Sequence, residues 1–148
     1  MLKTKPLDEI ISIVNGLLNI KRELDVDTDK CSGYESARKL AVKYWSLVSS
    51  IDECIMGTDN HNREIETKMK LNYSKLLSES NETSEAGKKR VAENNTEYIL
   101  IGDELRKGEL YRNYLRNIRE DIMAGHYIMK SIFERDVDIF LATPKTDN

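Results

Sequence analysis

The stretch YLRNIREDIMAGHYIMKSIF, residues 114–133, decides how this chain folds. Leu115, Ile118, Ile122, Gly125, Met129 and Ile132 step along it by 3, 4, 3, 4 and 3 residues. A period near 3.5 is that of a helix burying one stripe, because a strand would alternate every second residue. Upstream, Ile101, Leu105, Gly108 and Tyr111 continue the stripe. The pattern predicts one helix from about Tyr98 to Phe140, on the order of 65 Å long at ~1.5 Å per residue. A seam of that length must pack against another arm of the chain, against copies of itself, or both. Gly108 and Gly125 lie on the seam and cost roughly 1 kcal/mol each relative to alanine, so they mark either a close helix crossing or a hinge.

Outward from this helix, a second arm is readable. Tyr34, Ala37, Ala41, Tyr44, Val48, Ile51 and Ile55 are spaced 3, 4, 3, 4, 3 and 4 apart, a heptad pattern opening after Ser32-Gly33. Gly57-Thr58-Asp59-Asn60 is expected to weaken or break the helix. Ile65, Met69, Tyr73 and Leu76 then resume one apolar face. Ser78–Ser84 is poor in apolar residues and rich in capping ones, which reads as the turn between two arms. A short basic helix around Lys88-Lys89-Arg90 follows, interrupted by Asn94-Asn95.

Leu7, Ile10, Ile11, Val14, Leu17 and Leu18 share one face of an amphipathic helix, and Pro6 suits its first turn. The acidic run Asp25-Val26-Asp27-Thr28-Asp29 reads as a solvated linker. The expected fold class is therefore all-α: an elongated antiparallel helical hairpin with coiled-coil-like arms and an extra N-terminal helix, assembled as an oligomer. Residues 1–30 form the N-terminal helix and its acidic linker, 31–142 the hairpin body, and 143–148, with Pro144, a disordered tail. The seam between copies is assigned to Leu115, Ile118, Ile122, Gly125, Met129 and Ile132.

Composition narrows the function classes. The 148 residues carry 23 basic and 26 acidic side chains, a formal net charge of −3. Residues 1–60 hold 8 basic and 10 acidic groups, 61–135 hold 14 and 13, and 136–148 hold 1 and 3. Indiscriminate attraction to nucleic acid is thus excluded, and any such affinity must come from a local stripe. No apolar run of signal-peptide or membrane-spanning type occurs, which predicts a soluble, cytoplasmic protein without membrane contact.

Cys31 and Cys54 lack zinc spacing and read as free thiols. His61 and His126 have no spaced partners, so surface or packing roles are expected and no metal. Phosphate loops, dinucleotide fingerprints and HExxH are absent. Carboxylate pairs such as Glu64/Glu66 and Asp103/Glu104 point in different directions on a helix. The chain reads as non-enzymatic and without cofactor.

What remains is binding. Lys68 and Lys70 stand near Tyr73 and Lys75, Lys88-Lys89-Arg90 follows the turn, and Arg112, Arg116 and Arg119 form a stripe at i, i+4 and i+7. Single-stranded nucleic acid is held by such cationic tracks with aromatic faces for base stacking. Equally, each basic group can be read as balancing acids such as Glu64, Glu66, Glu109 and Glu120.

Three features together carry a family likeness. They are Tyr34-Glu35-Ser36-Ala37 with Trp45, the run Lys68-Met69-Lys70-Leu71-Asn72-Tyr73-Ser74, and a last helix with Tyr114, Leu115, Ile118, Ile122, Gly125, Ile128, Ile132 and Phe140. Over roughly residues 34–142 this resembles the single-strand DNA recombination mediators of tailed phages, the UvsY type. The resemblance implies a ring-like homo-oligomer that binds single-stranded DNA in a bacterial host cell. It also implies help for a RecA-like recombinase in displacing a single-strand-binding protein, with Lys68 and Lys70 as the first DNA contacts. The alternative is a non-enzymatic helical adaptor, or a phage-encoded inhibitor, acting only through protein contacts.

Overall fold

The computed structural model describes residues 4–142, so the tail expected at 143–148 lies outside the described residues. Four helices make up the chain: α1 (Leu7–Asp29), α2 (Gly33–Glu79), α3 (Glu85–Glu93) and α4 (Thr96–Ala142). No strand occurs among the described residues. The all-α expectation therefore stands, and the long last helix runs two residues further at each end than its apolar stripe suggested.

The contacts divide into two compact units. The first contains the chain up to Ile10 together with Ile55–Tyr114. Its buried side chains include Ile10, Ile65, Ala92 and Ile101. The α1 helix starts where the Pro6 carbonyl accepts from Glu9 and Ile10 N–H, at 3.2 and 3.3 Å. Here α2 departs from expectation, since it runs unbroken through Gly57–Asn60. The segment is helical because its small and polar residues are used in packing. A Cβ on Gly57 would sit 3.3 Å from Ile10 Cδ1, Thr58 is fully buried, and Asp59 is ion-paired with Arg112.

Further along α2 in this unit, the buried Asn62 occupies the space a Cβ on Gly108 would need. Met69 Cε would lie 3.4 Å from a Cβ on Gly102, and the rings of Tyr73 and Tyr98 sit 5.4 Å apart. The expected turn falls between α2 and α3. Ser84 caps α3 by accepting from Gly87 N–H at 3.0 Å. Asn94 closes α3, and the Asn95 carboxamide accepts from Tyr98 N–H at 3.2 Å, so the Asn-Asn pair ends one helix and caps the next.

The second unit contains Ile11–Cys54 and the chain from Leu115 onward. Val14 and Leu24 from α1, Ala37, Leu40, Tyr44, Val48 and Ile51 from α2, and Leu115, Ile122 and Met129 from α4 are buried in it. Two expectations are corrected here. The acidic stretch Asp25–Asp29 is not a linker, because α1 continues through it to Asp29. Lys21 Nζ lies 2.7 Å from Asp25 Oδ2 one turn earlier, and the Tyr44 hydroxyl donates to Asp25 Oδ1 at 2.7 Å. Thr28 Oγ1 donates to the Leu24 carbonyl and lies 2.9 Å from the Tyr44 hydroxyl. These bonds hold the N-terminal helix in the core rather than on a tether.

The second correction concerns the seam assigned to contacts between copies. Leu115, Ile118, Ile122 and Met129 are buried by the chain's own fold, Ile132 is half-buried, and Gly125 lies against the Tyr44 ring. Three helices rather than two fill this unit, so the stripe on α4 is covered without a second copy.

Candidate nucleic-acid interface

The residues singled out for DNA contact all fall in the first unit, Lys68, Lys70, Tyr73 and Lys75 on α2 and Lys88, Lys89 and Arg90 on α3. Their states differ. Lys68 and Lys75 are exposed and line a shallow cleft with Leu71 and Asn72, whose rim also carries Glu64 and Glu97. Lys70 reaches back one turn to Glu66 at 3.2 Å, with its side chain 76% exposed, an arrangement of little energetic weight that a phosphate could displace. Lys89 and Arg90 are exposed and Lys88 is half-buried. Among the described residues Lys68, Lys75, Lys88, Lys89 and Arg90 form no ion pair.

Tyr73 is brought to a different use. Its half-buried ring leans on Tyr98 at an interplanar angle of 41°, so it joins α2 to α4 rather than presenting a free face. The arginine stripe on α4 is also largely committed. Arg112 pairs with Asp59 in the first unit, while Arg119 Nε donates to Asp52 Oδ1 at 2.6 Å in the second. The hydrogen bond that Arg119 donates to Asp52, backed by the charge of that carboxylate, raises Arg119 above the usual guanidinium range. Arg116 alone of the three is exposed without an ion pair among the described residues.

The second unit presents a surface that the sequence reading did not single out. Trp45, half exposed, sits with its ring 5.2 Å from His126, and Tyr127 packs edge-on against the same imidazole at 5.5 Å. His126 Nδ1 donates to the Ala41 carbonyl at 2.8 Å, which fixes the ring plane. Arg38, Lys130 and Phe133 complete a cleft of about 520 Å³. The available signal was the step from Arg38 to Val42 to Trp45. It parallels the buried Ala37, Ala41, Tyr44 stripe one residue further on and so lies beside the seam rather than on it.

Among the described residues no cluster of three or more His, Cys, Asp or Glu is placed to hold a metal ion, and no helix is long and apolar enough to cross a membrane. No family model matches the sequence, and neither a curated protein nor a solved structure matches the chain.

Proposed function

We propose that this chain is a single-stranded-DNA-binding accessory protein of recombination, helping a RecA-like recombinase to load where a single-strand-binding protein must be displaced. The observation that carries the reading is the set of five cations in the first unit, Lys68, Lys75, Lys88, Lys89 and Arg90, left without a carboxylate partner among the described residues. In the same unit Arg112 and Lys70, by contrast, are matched by Asp59 and Glu66. Cations kept out of ion pairs are available to phosphates, and a chain with net charge −3 confines its anion affinity to such places.

An antiparallel hairpin of α2 and α4 is part of this reading, because the contacts 62 with 108, 69 with 102 and 73 with 98 fall in descending order along α4. Oligomerisation belongs to it too, since several protomers each contributing a few cations hold one strand more tightly than any one alone. A cytoplasmic setting follows from such a role.

The test is anisotropy of a labelled oligonucleotide titrated with the intact protein across a salt series. Binding to single strands should weaken with salt by a slope of roughly −0.7 per phosphate contact. Lys68→Ala with Lys75→Ala should flatten that slope by roughly 1.4 for two lost contacts and leave helicity unchanged. Absence of binding at low salt removes the reading. The adaptor alternative would then take its place, favoured by the exposed Leu100, Leu110, Phe140 and Leu141 on α4.

A further inference from the structure

We infer that the cleft between α2 and α4 in the second unit is a base-stacking site for single-stranded nucleic acid. Trp45 and Tyr127 supply the ring faces, and Arg38, Lys39, Lys43 and Lys130 receive the phosphates. This rests on the reading that the chain binds single-stranded DNA and assigns a contact surface outside the Lys68–Arg90 region.

The charge is the first argument. The cleft of Trp45 and the cleft beside it share Arg38 and Val42, and together they are lined by four cations and one carboxylate, Glu35. By contrast, the Lys68 and Lys75 cleft in the first unit sets two cations against Glu64 and Glu97. Arg38, Lys39 and Lys43 form no ion pair among the described residues. Among the described residues Lys130 pairs only with Glu134, a 3.9 Å approach with both side chains more than half exposed. Such a contact is too weak to oppose a phosphate.

The rings are the second argument. Trp45 is 51% and Tyr127 55% exposed, although the buried Tyr44 lies one residue from the first and the buried Met129 two residues from the second. An indole left half in water forgoes a large hydrophobic gain. The ring is nonetheless ordered. The carbonyl of Ala41 can only accept, so His126 carries its proton on Nδ1, and that bond sets the imidazole plane against which both Trp45 and Tyr127 rest. Flat faces held in place by a hydrogen-bonded neighbour lose little freedom when a base stacks on them.

From His126 to Phe133 the α4 wall of the cleft extends about 10 Å at ~1.5 Å per residue, enough for a short run of nucleotides rather than a single ring. Aromatic faces alternating with mobile cations suit a polyanion that carries flat rings. An acidic peptide would use the cations and leave most of the ring area unmatched.

Trp45 is the chain's single tryptophan, so its emission reports on this cleft alone. The experiment titrates the intact protein with a short oligothymidylate at low salt, reading tryptophan emission and, in parallel, the anisotropy of a labelled copy. Emission should fall in step with anisotropy. Trp45→Ala should weaken binding by roughly tenfold and Trp45→Phe by much less, since a stacked base is retained on a phenyl ring. Arg38→Ala with Lys130→Ala should reduce the salt slope by roughly 1.4 without altering helicity.

An anisotropy rise with unchanged emission, and with wild-type affinity in Trp45→Ala and the Arg38/Lys130 double variant, overturns the site and leaves the DNA reading standing on Lys68 and Lys75. No anisotropy change at low salt overturns both. Emission quenched by an oligoglutamate peptide but not by oligothymidylate makes the cleft a peptide dock and overturns the inference.

Discussion

Replacing Gly125 by alanine should destabilise the protein even though alanine is the better helix former. In an open helix the exchange gains ~1 kcal/mol. At this position, however, the added Cβ would lie 2.8 Å from Tyr44 Cε1 and 2.9 Å from Cζ, closer than carbon atoms approach. The Tyr44 ring has nowhere to go, being 1% exposed with its hydroxyl bonded to Asp25 and in contact with Thr28. Overpacking of this kind costs ~1–3 kcal/mol. Displacing the ring also weakens a hydrogen bond to a carboxylate worth ~1.5–3 kcal/mol.

Against the propensity gain the net loss is about 2 kcal/mol. At this chain length that is a fall in melting temperature of about 6 °C. Gly16 supplies the control. It is an exposed residue inside α1 with nothing within 4 Å of its Cβ position, so Gly16→Ala should be stabilising by up to ~1 kcal/mol. Urea denaturation followed by circular dichroism reads both. If Gly125→Ala proves as stable as Gly16→Ala, the glycine is not a packing residue and the Tyr44 contact is wrong. Hinge use of Gly125 would then regain its claim.

Burial first, and then the neighbouring Asp25 carboxylate, push Tyr44 up to about 12 from 10.0. A raised pKa means that its stabilising share is complete below pH 10.0 and is lost as pH climbs through about 12. Phenolate absorbance should show one tyrosine titrating late, together with loss of helicity, and Tyr44→Phe should abolish the late step. For Asp25, burial acts to raise the pKa, but hydrogen bonds from Lys21 and Tyr44 outweigh it and hold the group below 3.8. Its contribution therefore persists at neutral pH and fades only as pH falls through that lowered value, which an acid titration of Lys21→Ala would move to higher pH. Ile118→Asp with Ile122→Asp places charge in a closed core and should cost more than ~3 kcal/mol. The expected readout is loss of helical signal, and a folded double variant that merely changes oligomeric state would return those residues to an interface between copies.

The helices were legible wherever one face is buried without interruption. Ala37, Ala41, Tyr44, Val48 and Ile51 announced α2 by period alone, and Leu115, Ile118, Ile122 and Met129 announced α4. What failed was the reading of polar and small residues as punctuation. Gly57 and Thr58 are helical because another helix approaches them, and Asp25 is helical because Lys21 and Tyr44 satisfy it. Ile10 and Tyr44 lie far from these positions in sequence, so local composition carries no trace of them. The same lack misassigns the α4 stripe to a second copy, since nothing local to α4 shows that α1 joins the core with Val14 and Leu24.

Site residues follow the same logic with the sign reversed. Whether a cation is available depends on what stands opposite it, and Arg112, Arg119 and Tyr73 were drawn into contacts by Asp59, Asp52 and Tyr98 from another helix. Lys68 and Lys75 kept their freedom, although Glu64 and Glu97 share their cleft. Trp45 joins Arg38 and Lys130 only through the pairing of two helices that are distant in sequence, and no window along the chain contains all three. A binding surface assembled from one stripe on each of two helices is visible only once those helices are paired. Periodicity could therefore locate the buried seam, whereas the cation and ring surface beside it had to await the fold.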